Sequence, residues 1–253
     1  MKTTIVCFSQ TGNTQRVAEA IAGGLGAGDV ELVPLEKAAE AHLDDADLIG
    51  IGTPVFYYHE PTVVRDFISR LALKEKTLAF TFITSGGHPT NTLRRLQKML
   101  AKKGATVIDS YECLGYDTYP IYIKHFRQWG HPSEEDLAGA RLFGQGLVDK
   151  VRRIGEGEKT EPPRYKFVGG KYFRLSFICR RPVLDWIMPK LEADLEKCVK
   201  CGQCQKHCPT QNIRLDPWPT FLDECIFCYM CERVCPHHAI PVDWTKVAKK
   251  MGA

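Results

Sequence analysis

Thr3-Thr4-Ile5-Val6-Cys7-Phe8-Ser9-Gln10-Thr11-Gly12-Asn13-Thr14 is the stretch on which the fold of the amino-terminal half turns. The β-branched, apolar run over Thr3–Phe8 predicts a strand, and apolar residues at three- and four-residue spacing then predict a helix over Thr14–Leu25. The chain therefore passes from a strand end into a helix start within one short loop. Backbone N–H groups at a helix N-terminus bind an anion without a cation, so Ser9, Gln10, Thr11, Gly12, Asn13 and Thr14 form a candidate phosphate cradle. Gly12 lets the backbone approach closely, and the Ser9, Thr11 and Thr14 hydroxyls add donors. Without Gly-Lys-Ser/Thr the loop is no triphosphate P-loop, and without Gly-x-Gly-x-x-Gly it does not suit a dinucleotide. A Ser/Thr-rich helix cap is the alternative that needs no ligand.

Outward from this loop the pattern alternates. Strands are predicted at Val30–Leu35, Leu48–Thr53, Thr77–Thr84 and Thr106–Glu112, with helices near Glu36–Leu43 and over Thr62–Leu73, Asn91–Lys103 and Glu134–Ile154. Alternation of this kind predicts an α/β doubly wound parallel sheet over residues 1–155, with ligands outside the carboxyl ends of its strands.

Phe8-Ser9-Gln10-Thr11-Gly12-Asn13-Thr14 resembles the FMN phosphate loop of the flavodoxin family, Ser/Thr-x-Thr-Gly-Asn-Thr after the first strand. The resemblance covers roughly residues 1–155 and implies a five-stranded sheet of order 2-1-3-4-5. It also implies an FMN ring between three loops. These hold Thr53, Pro54, Val55, Phe56 and Tyr57; Thr84, Ser85, Gly86 and Gly87; and Tyr116, Asp117 and Tyr119. Aromatic residues there could stack on the ring or serve as core and rim. Many flavodoxins have a Gly in the third-strand loop whose peptide turns toward flavin N5, and Val55-Phe56-Tyr57 has none. His59, His88, His125, His131 and Asp117 are candidate proton donors, with surface or loop-capping roles as the alternative. Cys7, inside an apolar run, reads as an inert core residue.

The chemistry changes after residue 197. Cys198-x-x-Cys201-x-x-Cys204-x-x-x-Cys208-Pro209 is followed by Cys225-x-x-Cys228-x-x-Cys231-x-x-x-Cys235-Pro236, each ligand recurring 27 positions later. Ile213-Arg214-Leu215-Asp216 against Ile240-Pro241-Val242-Asp243 extends the repeat, which indicates a duplicated unit with a pseudo-twofold axis. The spacing is that of the bacterial 4Fe–4S run, in which the fourth Cys ligates the other cluster. One cluster would use Cys198, Cys201, Cys204 and Cys235, and the second Cys225, Cys228, Cys231 and Cys208. Zinc is the rival, although its sites usually pair Cys-x-x-Cys units across longer loops. Residues 191–253 resemble a two-cluster ferredoxin, a small α+β domain, with Ile213, Ile226, Phe227, Tyr229 and Ile240 expected to keep the clusters dry.

Residues 156–190 read as a connector. Gly155–Pro163 has linker composition, and the aromatic segment after it carries an excess of basic residues. Residues 1–155 and 191–253 each balance, so the formal charge of +4 lies in the connector, with 8 basic and 4 acidic residues. Packing across the two domains is the expectation for it, and a local docking patch or membrane-surface helix the alternative. Pro182 and Pro189 break it as one helix. No nucleic-acid module, no apolar run long enough for a transmembrane segment and no export signal is recognised, so a cytoplasmic setting, in an anaerobic microbe, is expected.

The whole is similar to single-chain flavodoxin–ferredoxin fusions. That resemblance implies an electron carrier with FMN and two 4Fe–4S clusters, serving redox protein partners such as an acidic ferredoxin or a larger redox complex. An FMN-dependent reductase of a small substrate, for example a quinone, is the competing reading. The oligomeric state is not legible.

Overall fold

The structure, a computed structural model, describes residues 1–26, 28–40, 43–119 and 128–251. They fall into two compact units. The first comprises Met1–Thr118 and the stretch ending at Ser176; the second runs from Phe177 onward and takes in Tyr119. The segment 156–190 is thus divided between them.

Five strands, β1 (Lys2–Cys7), β2 (Asp29–Pro34), β3 (Leu48–Pro54), β4 (Leu78–Ser85) and β5 (Thr106–Leu114), form a parallel sheet of order β2-β1-β3-β4-β5. The helices of this unit are α1 (Asn13–Leu25), α2 (Thr62–Arg70), α3 (Thr92–Ala101), α4 (Glu134–Gly155) and α5 (Gly170–Ile178), whose last turn passes the unit boundary. The expected order is met, and the loops at the carboxyl ends of β1, β3, β4 and β5 share one edge of the sheet.

Two strand glycines show how one face is filled. A Cβ on Gly50 would lie 2.4 Å from the Phe80 ring, and one on Gly52 would lie 2.1 Å from the Phe82 ring. The missing side chains leave room for those rings to join Ile5, Leu48, Ile21 and Leu147 in a core under α1 and α4. Fully burying each such side chain contributes about 1.5–3 kcal/mol. Helices α1 and α4 meet closely, because a Cβ on Gly144 would stand 2.3 Å from the carbonyl oxygen of Ile21. α4 starts at a capping box, with Asp136 N–H on Ser133 Oγ and Ser133 N–H on the Asp136 carboxylate.

The helix expected near Glu36–Leu43 is instead two 3₁₀ segments, Leu35–Glu40 and Leu43–Asp45. Its buried side chains, Ala38 and Leu43, are five positions apart and do not make one helical stripe. Beyond α4 the chain is irregular and tied down by its backbone. Pro163 O accepts from Gln97, and Val168 exchanges two hydrogen bonds, both 3.0 Å, with the buried side chain of Asn91.

The second unit contains α6 (Arg181–Ile187), α7 (Gln203–Lys206), β6 (Ile213–Leu215) antiparallel to β7 (Pro219–Phe221), α8 (Met230–Arg233) and α9 (Thr245–Met251). Pro182 sits in the first turn of α6, where its missing N–H costs nothing. The 27-residue repeat is structural, with α7 and α8 at equivalent positions. Left-handed residues also recur in register, Lys200 with Phe227, Gly202 with Tyr229 and Gln211 with His238. The repeat is incomplete, since Ile240–Val242 forms no strand to match β6. No helix among the described residues is long and apolar enough to cross a membrane.

The Gly144 contact yields a paired prediction. Gly144→Ala should destabilise the first unit by about 1–3 kcal/mol, because backbone must move. Gly146→Ala, two positions on and with nothing within 4 Å of the added Cβ, should stabilise by about 0.5–1 kcal/mol. Urea midpoints moving in the same direction for both variants would contradict this packing.

Candidate functional site

Gly12, in the left-handed region at φ 89°, turns the chain from β1 into α1, and a Cβ there would meet nothing within 4 Å. The first-turn amides of α1 have no intrahelical acceptors. Gln15 N–H is taken by Ser9 Oγ at 3.1 Å, which holds the loop closed. Gln10 Nε2 is buried and has no hydrogen-bond partner, so an N–H donor faces this loop without an acceptor. Thr11 is exposed, whereas Thr14 is buried with its hydroxyl 2.7 Å from that of Thr84. The pair joins the loops after β1 and β4 and leaves one of its two protons for a third group. Asn13 Nδ2 donates to Tyr116 O at 3.1 Å, joining the cradle to the loop after β5. These donors, with no carboxylate in the loop, fit the phosphate of FMN.

The loop after β3 is a tight turn. Phe56 and His59 exchange both backbone hydrogen bonds, at 2.8 and 2.9 Å, around Tyr57 and Tyr58, whose φ values are 50° and 69°. Two bulky residues in the left-handed region are strained, by about 1–2 kcal/mol each, and the surroundings must hold them there. Glu60 supplies the anchor. Only 2% exposed, it pairs with Arg95 at 2.8 Å and Arg65 at 3.3 Å. Arg95 in turn donates to Tyr58 O at 2.8 Å, and Thr90 Oγ1 does the same. Val55 N–H donates to Thr84 O and Phe56 N–H to His59 O, so both amides are engaged within the protein. Thr53 Oγ1 donates to Pro54 O, and Gly86 packs so tightly on Asp117 that a Cβ would meet its carboxylate at 2.6 Å. Ser85 Oγ accepts from Gly87 N–H at 3.3 Å. Loops from β1, β3, β4 and β5 are therefore cross-linked into one edge, with Phe8 against Phe56 and Tyr116 against Trp129 at its rings.

Tyr119 departs from this set. It belongs to the second unit, where its hydroxyl donates to Met188 Sδ at 3.4 Å and its ring meets Trp244 edge-on. The histidines are engaged in structure. His59 Nε2–H donates to Ser176 O at 2.7 Å, and desolvation by burial holds its pKa below the ordinary value. His88 stacks on Tyr172 at 4.0 Å, and His131 Nδ1 bonds the carboxylate of Asp136. Although burial works to raise the Asp136 pKa, bonds from Ser133 and His131 hold it below the usual range. His125 lies outside the described residues. Cys7 is buried and its thiol is pushed up to about 12, as befits a core residue. Glu60, Thr90 and Arg95 were invisible as site residues in the sequence, because their partners are distant along the chain.

In the second unit the eight spaced cysteines part into two groups. Cys198, Cys201, Cys204 and Cys235 line one cavity of about 360 Å³, open mouth included, with Leu215 and Ile240. Cys208, Cys225, Cys228 and Cys231 line the other, of about 320 Å³, with Ile213, Ile226 and Tyr229. Phe227 instead lies beneath Arg181, whose guanidinium is 5.4 Å from the ring centre. The repeat carries its hydrogen bonds with it. Asn212 N–H donates to Cys208 Sγ at 3.2 Å, and Ala239 N–H donates to Cys235 Sγ at 3.2 Å. Phe227 N–H and the Thr210 hydroxyl also reach sulfur, at 3.3 Å from Cys225 and 3.6 Å from Cys208. Among the described residues no three His, Cys, Asp or Glu side chains converge as a single metal ion requires. Zinc needs four ligands within about 2.3 Å of one point. Four thiols spaced around a cavity fit a larger inorganic core, such as a 4Fe–4S cluster. Burial pushes Cys225 up to about 11 and Cys231 higher still, so metal must displace protons on assembly.

The basic excess of the connector is partly spent within the fold. Arg181 pairs with Asp185 at 2.8 Å and donates to Asp223 O, while Arg180 lies over the Phe177 ring at 4.9 Å.

Comparison with protein families matches a flavodoxin domain over residues 4–124 and a 4Fe-4S dicluster domain over residues 190–236. A search of the curated proteins found no match. Among solved structures, a flavodoxin from the domain Archaea is 22% identical, over 60% of this chain and 99% of its own, with a TM-score of 0.49. A WrbA-like flavodoxin from Agrobacterium tumefaciens is 22% identical, over 60% of this chain and 98% of its own, with a TM-score of 0.46. The flavodiiron protein from Giardia intestinalis is 19% identical, over 61% of this chain and 37% of its own, with a TM-score of 0.47.

The lowered pKa of His59 predicts a pH dependence. Above the unfolded value of about 6.5 both states are neutral there; below it the unfolded chain takes the proton first. Stability should fall as pH drops from 6.5 toward the folded pKa, by at most about tenfold in the folding constant per pH unit. His59→Gln should flatten that part of the urea-midpoint profile. An identical slope in parent and variant would contradict a desolvated His59.

Proposed function

Because this polypeptide joins a flavodoxin domain to a 4Fe-4S dicluster domain, it belongs with the flavodoxin–ferredoxin fusions, and we propose that it passes electrons between two 4Fe–4S clusters, FMN and redox partner proteins. The observation that carries this reading is the division of eight cysteines between two separate cavities, with each fourth ligand drawn from the other half of the repeat. Bound FMN would exchange electrons singly or in pairs, and each cluster one at a time.

Ser9, Gln10, Thr11, Gly12, Asn13 and Thr14 hold the phosphate through amide, hydroxyl and carboxamide donors. The loops of Thr53, Pro54, Val55, Phe56 and Tyr57, of Thr84, Ser85, Gly86 and Gly87, and of Tyr116 and Asp117 would hold the ring. The cross-links through Asn13, Thr84 and Arg95 keep those loops in place without the ligand. In the second unit Cys198, Cys201, Cys204 and Cys235 hold one cluster and Cys225, Cys228, Cys231 and Cys208 the other. The amides of Asn212 and Ala239 stabilise thiolate charge on each crossing ligand. Ile213, Leu215, Ile226, Tyr229 and Ile240 exclude water around the sulfurs.

Anaerobically prepared protein should contain about eight iron and about eight sulfide per chain. Cys208→Ser should cost the cluster of the Cys225, Cys228 and Cys231 set and leave about half the iron; loss of the other cluster instead would overturn the crossed ligation. Thr11→Ala removes a charge-assisted hydrogen bond of roughly 1.5–3 kcal/mol, so FMN should bind about 10- to 100-fold more weakly while riboflavin is little changed. Equal weakening of both would put the phosphate elsewhere. Thr14 is the poorer test, since its loss also strands the Thr84 hydroxyl.

A further inference from the structure

The two halves of the cysteine repeat share a backbone and differ in their cover. Val199, Lys200 and Cys201 are exposed; their counterparts Ile226, Phe227 and Cys228 are not. Val199 is 56% exposed, an apolar side chain in solvent between two cysteines that line the first cavity. Gly202, left-handed and without a side chain, stands where the second half has Tyr229, equally left-handed but only 1% exposed. Tyr229 is locked in place: its hydroxyl donates to Pro189 O at 3.0 Å and its ring meets Trp244 at 4.4 Å. Trp244 also donates to Glu232 at 3.3 Å, and Arg181 lies over Phe227. Among the described residues, the second half thus carries a buried aromatic ring at the position where the first half has Gly202.

Charge divides the same way. Residues 196–207 carry Lys197, Lys200 and Lys206 against Glu196, and the equivalent residues 223–234 carry Asp223, Glu224 and Glu232 against Arg233. Lys197 is paired with Asp194 at 2.9 Å, but Lys206 is exposed and Lys200 holds its ammonium 4.0 Å over the Trp218 ring. A cation positioned over an aromatic face keeps its charge and loses side-chain freedom before any partner arrives.

We propose that the loop from Lys197 to Lys206 is the port at which an acidic one-electron carrier protein docks, exchanging electrons through the cavity of Cys198, Cys201, Cys204 and Cys235 in preference to the other cavity. The inference rests on the reading that both cavities hold 4Fe–4S clusters. In each exchange the partner's reduced centre loses one electron and the first cluster gains it, or the reverse, with no bond made and no proton moved. Val199 provides the apolar centre of the contact, Lys200 and Lys206 its charged rim, and the like charge of Asp223, Glu224 and Glu232 turns the same partner away from the second loop.

Two readouts on the holoprotein test this. In the first, a soluble dysprosium chelate is added to fully reduced protein and the relaxation of the cluster EPR signals is followed. One signal should be strongly affected and one weakly. Cys208→Ser, which keeps the first cavity's cluster, should retain the strongly affected signal, and Cys235→Ser the weakly affected one. Equal effects, or the reverse assignment, would overturn the port. In the second, an acidic bacterial ferredoxin serves as probe in anaerobic stopped flow. Lys200→Glu with Lys206→Glu should slow second-order transfer about tenfold or more at low salt, with the loss shrinking as salt rises. Glu224→Lys should not slow it. An unchanged rate in the lysine variant, or an equal loss in Glu224→Lys, would overturn the proposal. Protein that lacks iron and sulfide would instead defeat the underlying two-cluster reading.

Discussion

A unit of this size has too little apolar material to close a core of its own. One buried cluster of the second unit consists of Cys204, Ile213, Cys231 and Ile240, so half of its buried members are cysteines, and Cys208 packs against them. The side chains that should fill the centre are the ones that line the two cavities. Whatever the cysteines hold would therefore complete the core beside Tyr229, Met188 and Val247. Because each cavity takes one of its four cysteines from the opposite half, occupation of the cavities would also tie the halves together. The left-handed residues at Lys200, Phe227, Gln211 and His238 are costs that such cross-linking has to offset.

The first unit is constrained from another direction. Its sheet core closes without a ligand, with Phe80 and Phe82 over Gly50 and Gly52, and the burden falls on the loops at the sheet edge. There the buried Glu60 carboxylate and the guanidiniums of Arg65 and Arg95 fix a turn that Tyr57 and Tyr58 would not adopt alone. Only the carboxylate of these pairs is buried, and leaving it without its guanidiniums would strand a charge out of water, so the pairing holds the loop in place. Gln10 is left with a buried donor and no acceptor, a cost that a bound phosphate would relieve.

What could be read from the sequence follows the range of the interactions. The sheet order, the strands and the long helices are local patterns of period two and 3.6, and the structure reproduces them to within a few residues. The cysteine spacing is local too, and the 27-residue offset survives as repeated helices, left-handed residues and N–H···S bonds. Contacts between distant positions were not legible. The Thr14–Thr84 hydroxyl pair, the Arg95 bond to Tyr58 O and the placement of Tyr119 in the second unit depend on chain segments 37 or more residues apart or on tertiary grouping. The connector shows the limit most plainly. Its composition locates positive charge, but only the fold reveals that Arg181 turns onto Phe227 and Asp185.

A chain that binds one flavin and two clusters stores electrons on all three. Anaerobic coulometric reduction of cofactor-replete protein, followed by visible and EPR spectra, tests it most directly. Uptake of about four electrons per chain is expected, about two with the flavin bands and about one with each of two cluster signals. Uptake of about two electrons, confined to the flavin bands, would contradict it.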